Sequence, residues 1–296
     1  MTLDATPSPS DRGLDRDEVE VLGLPLGPES LTWRLFGDAR GLLLAQRAGV
    51  LQNMHPVISR ALIDHSDFFA NPLNRVLRSG APILGVVYDA PVDETAHHVR
   101  DYHRGIRGGD GEGGDRYAAL DPEPYYWAHA TFFEGQIAAQ RMFGTPLTEE
   151  QQEQLYRESI TWYARYGLSL RPVPRDYAAF RRYWSWMFAT QLRNTPVGLF
   201  GTRTLQHLPS PSPSLPWPVW MGMRPVASRA LPWMARVTLP REAREILGIT
   251  LTPVDRAAFA TIATTVRTTW PVTPQPLRRM PRARNGDRRV ARETAA

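Results

Sequence analysis

TPLTEEQQEQLYRESITWYARYGL, residues 145–168, is the stretch from which the fold is read. Thr148 is followed three residues later by Gln151. A threonine hydroxyl there accepts from the third helical N–H while the glutamine reaches back to the threonine N–H, so two donors that a helix start leaves unpaired are satisfied. The pattern predicts a helix over 147–167. Outward from it, helical periodicity fits 123–143 and 174–190, then 37–52, 55–65, 72–88 after Pro72, 91–107 after Pro91, 240–247 and 253–269. Proline and glycine punctuate nearly every junction. Strand-like alternation is scarce, with ARVTLP at 235–240 the one mild candidate. LPSPSPSLPWP at 208–218 reads as an extended surface segment, a linker from a larger helical body to a small C-terminal helical piece. No internal repeat is visible. The expectation is an all-α protein: one large helical domain over 25–270, with disordered segments at 1–24 and 271–296.

Composition narrows the chemistry. The chain has 296 residues and no cysteine, so disulfides, thiolate catalysis, zinc fingers, iron–sulfur clusters and covalent haem attachment are excluded. It has no lysine either, so all 35 basic residues are arginine and Schiff-base chemistry is ruled out. Much of the net charge of +5 falls in residues 271–296, which read as a solvated basic tail. The body shows no basic groove with interleaved aromatics, so no nucleic-acid partner is expected. Residues 1–20 are acid-rich, unlike a secretory signal, and no later stretch offers a membrane span. A soluble, cytoplasmic protein is expected.

Four constellations could carry chemistry. Gly109, Gly111 and Gly114 satisfy G-x-G-x-x-G, yet they follow a helix rather than a strand, and Asp110, Glu112 and Asp115 would repel a pyrophosphate. That run reads as a helix exit. Glu94 and His97 form an E-x-x-H pair, but a di-iron site needs a second pair that the sequence lacks. His103 differs. With Ala96, Val99 and Ile106 it lies on one stripe of the 91–107 helix, bordered by Arg100, Arg104 and Arg107. A neutral imidazole on an apolar face with cations at its edge suits a haem, which needs one nitrogen ligand, apolar walls and partners for its propionates. A hydrogen-bonded core histidine is the plainer reading of a lone His in such a place. On the preceding helix Arg75, Arg78 and Ser79 share one face, either as surface residues or as donors converging on an anion or on dioxygen.

At these residues the chain resembles a known family. The succession PESLTWRLFGDARGLLLAQRAGVLQNMHPVISRALIDHSDF, NPLNRVLRSGAPILGVVY, VRDYHRGIRG and GDRYAALDPEPYYWAHATFFE looks like the superfamily of latex-clearing proteins (rubber oxygenases) and mycophenolic-acid oxygenases, specifically its short bacterial members. The likeness continues through 145–168, resumes at LPREAREILGITLTPVDRAAF, and so covers most of residues 25–285. The resemblance implies an all-helical fold and a non-covalent haem b whose iron is held by one histidine of an H-x-x-V/I-x-G motif, here His103 to Gly108. It implies a polar distal patch of pattern R-x-x-K/R-T/S, matched by Arg75, Arg78 and Ser79. Arginine stays protonated, so Arg78 cannot ligate iron as a lysine there can. His55, in an HP pair, either faces the pocket or caps structure, the second being the first choice. His129, in an aromatic segment, is core by its neighbours and close to the haem by the resemblance. The implied activity is O2-dependent attack on an apolar, alkene-bearing substrate, isoprenoid-like or otherwise. A non-catalytic carrier of haem or an apolar ligand on the same fold is the alternative.

Overall fold

The computed structural model describes residues 13–66, 72–109, 116–203, 208, 210 and 215–295, with backbone only at 72–79. In chain order the helices are α1 (Arg16–Leu22), α2 (Leu31–Phe36), α3 (Ala45–Asn53), α4 (Pro56–His65), α5 (Pro72–Tyr88), α6 (Thr95–Asp101), α7 (Pro122–Phe143) and α8 (Glu149–Ala164). They continue with α9 (Tyr177–Trp186), α10 (Pro196–Phe200), α11 (Trp217–Thr238), α12 (Arg241–Leu247), α13 (Pro253–Thr269), α14 (Gln275–Arg278) and α15 (Pro281–Ala295). The β structure among the described residues is a two-residue ladder, β1 (Arg107–Gly108) against antiparallel β2 (Tyr117–Ala118), and a bridge between Asp38 and Arg279. The all-α expectation holds.

Helix α7 is the axis of the core. Trp127, His129, Thr131, Phe133, Ala138 and Ala139 are buried around its circumference, and a helix buried on so many sides must be enclosed by others. Helices α2, α3, α8 and α13 pack on it. Helix α8 opens with the capping box read from the sequence: Gln151 N donates to Thr148 Oγ1 at 3.2 Å and Thr148 N to Gln151 Oε1 at 3.0 Å. It closes before Gly167, whose φ of +66° only glycine adopts freely.

Buried charge ties the layers together. Glu158 of α8, 1% exposed, caps the start of α2: Leu31 N donates to Oε1 at 2.9 Å and Thr32 N to Oε2 at 2.6 Å. Gln154 Nε2 adds a third bond at 2.9 Å. Arg47 of α3 pairs with Glu134 of α7 at 2.6 Å and donates from Nε to the Thr238 carbonyl, at the end of α11, at 3.0 Å.

Several sequence expectations are corrected. The N-terminal segment is ordered over α1, where Asp15 and Glu18 form a capping box and Arg175 pairs with Glu18. Residues 1–12 lie outside the described residues. The basic tail expected to be solvated forms α14 and α15 instead. Trp33 Nε1 donates to Asp287 at 2.8 Å, Arg279 forks onto the same carboxylate, and Arg282 pairs with Asp89. Gly286 lets α15 meet α5 closely, since a Cβ there would lie 2.9 Å from the Tyr88 carbonyl oxygen. The strand candidate at 235–240 and the end of the proline-rich segment belong to α11, which runs through Pro225 and Pro232. Trp220, Ser228 and Ala235 bury its inner side. It packs on α3, while most of 204–214 lies outside the described residues.

Candidate functional site

Helix α6 begins after Glu94, a non-glycine residue at φ 47°, and buries Ala96 and Val99 against its neighbours. It ends at Asp101, six residues short of the expected 107, so His103 sits in the turn that leaves the helix. The stripe reading survives in altered form. His103 Nδ1 lies 2.9 Å from the Val99 carbonyl oxygen, a group that only accepts. Nδ1 therefore carries the hydrogen, and in the neutral ring Nε2 keeps the lone pair. Fixing one imidazole nitrogen on a carbonyl is how a protein presents the other to a metal, so the donor at His103 fits a single axial ligand.

The ring of His103 stands edge-on to Tyr125 at 5.6 Å. Tyr125 in turn touches Tyr163 and Tyr166 at 6.3 and 5.4 Å, and those two rings lie 5.2 and 6.2 Å from His129. His103 and His129 are thus the two ends of one connected group of rings. Burial raises the phenol pKa of Tyr125, Tyr163 and Tyr166, so all three stay protonated. Sequence reasoning passed over Tyr163 and Tyr166, although WYARY in the opening stretch places them one and four residues after buried Trp162.

His129 is buried on α7, its Nε2 3.2 Å from both the carbonyl and the hydroxyl of Ser159. Trp162 stands edge-on to it at 4.8 Å. Burial pushes its pKa down to about 3 against the weaker upward pull of the Ser159 carbonyl, so the ring is neutral. His55 precedes Pro56 at the start of α4 and is buried, but its side chain makes no cap bond. Burial alone lowers its pKa to about 4. Among the described residues neither His55 Nδ1 nor His129 Nδ1 has a hydrogen-bond partner. His55 shares no described ring contact with the His103 group. Its neighbours are those of the α3–α4 junction, where Arg193 N donates to the Met54 carbonyl at 2.9 Å.

The flanking arginines are engaged locally. Arg100 donates from Nε to Asp101 at 2.7 Å and from Nη1 to the Tyr166 carbonyl at 3.3 Å. Arg107, on β1, is exposed, and its carbonyl meets His65 Nε2 at 3.0 Å. Arg75, Arg78 and Ser79 ride on α5, which packs beside α6, but their side chains lie outside the described residues. So do Asp110–Asp115 of the glycine run, which β1 and β2 bracket. His97 and Glu94 lie 3.9 Å apart on an exposed face. Among the described residues no cluster of three or more His, Asp or Glu could hold a metal ion. The two best-formed surface cavities, one beside Trp33 and Asp287 and the other beside Glu150 and Arg181, include none of His55, His103 and His129.

A family model described as "ER-bound oxygenase mpaB/B'/Rubber oxygenase, catalytic domain" matches residues 33–268, a span holding every residue just placed except the C-terminal Asp287. No curated protein and no solved structure matches the chain significantly.

Proposed function

Because the chain belongs to the mpaB and rubber oxygenase catalytic-domain family, we propose that it is a cytoplasmic haem b oxygenase whose iron is held by His103 and whose substrate is a small apolar alkene. The observation that carries the reading is the bond from His103 Nδ1 to the Val99 carbonyl, which fixes the tautomer and the orientation of the ring. When bound, haem b supplies the iron that activates O2 for oxidative attack on a carbon–carbon double bond.

The protein's own residues have separate tasks. The Tyr125 edge and the Val99 carbonyl hold the His103 ring in one orientation. Arg100 and Arg107 are the cations for the propionates, with Arg100 held by Asp101 and the Tyr166 carbonyl. Arg75, Arg78 and Ser79, at i, i+3 and i+4 of α5, supply hydrogen-bond donors for polarised oxygen. His129 and the protonated tyrosines form a dry wall that keeps water and stray protons from the substrate. His55, at the α3–α4 junction, stays a neutral ring.

Purified protein mixed with haemin should develop a Soret band. His103→Ala should abolish it, and His103→Gly should regain it on addition of imidazole. A band that His103→Ala leaves intact refutes the ligand assignment. Oxygen uptake on adding an isoprenoid alkene, lost in Arg75→Ala/Arg78→Ala with the band retained, supports the oxygenase reading. The band without uptake on any alkene favours a carrier.

A further inference from the structure

Helix α11 has two apolar faces. One is inward, with Trp220, Ala227, Leu231 and Ala235 packed on the body. The other faces solvent: Val219, Met223, Val226 and Ala230 recur at i, i+4, i+7 and i+11, which is a single stripe. Met223 is 52% and Val226 69% exposed, and Trp217 at the start of the helix is 64% exposed. Isolated apolar residues on a surface are ordinary, but a continuous exposed stripe marks a contact surface.

The charge around the stripe selects its occupant. From Tyr177 to Arg241 the sequence contains arginines and not one Asp or Glu. Arg229 lies exposed on α11 beside the stripe, and Arg236 donates from Nη1 to the Thr202 carbonyl, next to exposed Arg203. The acid packed nearest the helix, Asp255, is committed to Trp233 Nε1 at 2.8 Å and to the Thr252 cap. A second copy docking through this face would set arginine against arginine with no carboxylate to neutralise them, since a two-fold interface pairs a patch with itself. A lipid surface with anionic headgroups meets both requirements: acyl chains for Val219, Met223 and Val226, and phosphates for the arginines.

We propose that the outer face of α11 is an interfacial membrane-docking surface, laid in the plane of an anionic bilayer. The helix does not cross the bilayer, and among the described residues no helix is long and apolar enough to do so. The proposal is independent of haem.

Flotation of the full chain with phosphatidylcholine vesicles, with and without phosphatidylserine, tests it. The protein should float with the phosphatidylserine vesicles. Met223→Asp/Val226→Asp should cut the bound fraction at least about tenfold while leaving the thermal midpoint and circular dichroism unchanged, because both side chains are exposed. Arg203→Gln/Arg229→Gln should weaken binding about fivefold per arginine and erase the preference for phosphatidylserine. Wild-type protein that stays at the bottom of the gradient overturns the proposal. So does flotation that the Met223/Val226 variant leaves unaltered. A dimer in solution that this variant dissociates, without flotation of the wild type, overturns it in favour of self-association. The Soret band of the same preparations reports separately on the haem reading.

Discussion

Acidification should unfold this protein earlier than its carboxylates alone would allow, because two buried histidines must be neutral in the fold. His55 and His129 titrate at about 4 and about 3 when folded, against 6.5 for a free side chain. Both values are depressed, so between those pH values the unfolded chain binds more protons than the folded one. Their stabilising contribution is complete above pH 6.5 and is lost as pH falls. At pH 5 both rings are still neutral in the fold while the unfolded chain is largely protonated there, which costs about 2 kcal/mol per histidine. The figure at pH 5 depends little on the folded values, provided both lie below 5. Together the two remove about 4 kcal/mol between pH 8 and pH 5, or more than 1 M in urea midpoint at a slope of about 3 kcal/mol per M. Aspartates whose pKa is lowered, among them Asp255 at about 2, titrate below this window. Urea midpoints at pH 8, 7, 6 and 5 should therefore fall steeply toward pH 5. His129→Gln and His55→Asn should each remove about half of the dependence. A midpoint constant from pH 8 to 5, or a slope that persists in the double variant, refutes the reasoning.

The paired charges make sharper local predictions. Arg47→Met leaves Glu134 without its buried partner and should cost about 3–5 kcal/mol in denaturant unfolding, whereas Arg47→Met/Glu134→Leu should recover at least about 2 kcal/mol of that. An additive double variant would show that the pair contributes nothing specific. Glu158→Ala strips the cap from α2 and should cost about 2–4 kcal/mol, with faster amide exchange at Leu31 and Thr32. Glu158→Gln keeps one acceptor and should cost roughly half as much. Unchanged exchange at those two amides would refute the capping role.

Local signals were legible in the sequence, and long-range partners were not. The Thr148–Gln151 box spans four residues, so the start of α8 was readable to the residue. Helix α11 was hidden because Pro225 and Pro232 signal a break, a cost outweighed by the burial of Trp220 and Ala235. Helix α15 was hidden because Arg282 and Asp287 look solvated until Asp89 stands opposite the first and Trp33 opposite the second. At the candidate site the identity of His103 was visible. The acceptor that orients it is a backbone carbonyl, which no side-chain pattern reports. His129 lay within an aromatic run that read equally as core, and its burial beneath Trp162 and Tyr163 comes from a helix thirty residues on.

Helix α15 also sets an order for the protein's birth. It closes on Trp33 and Asp89 across sequence separations of 254 and 193 residues. On the ribosome, α2 and α5 emerge long before the arm that locks them, and each waits with its docking face bare. The helix that carries Arg75, Arg78 and Ser79 therefore gains its outer support only after α15 has left the exit tunnel. The core around α7 can condense during synthesis, but the wall beside α6 is finished last.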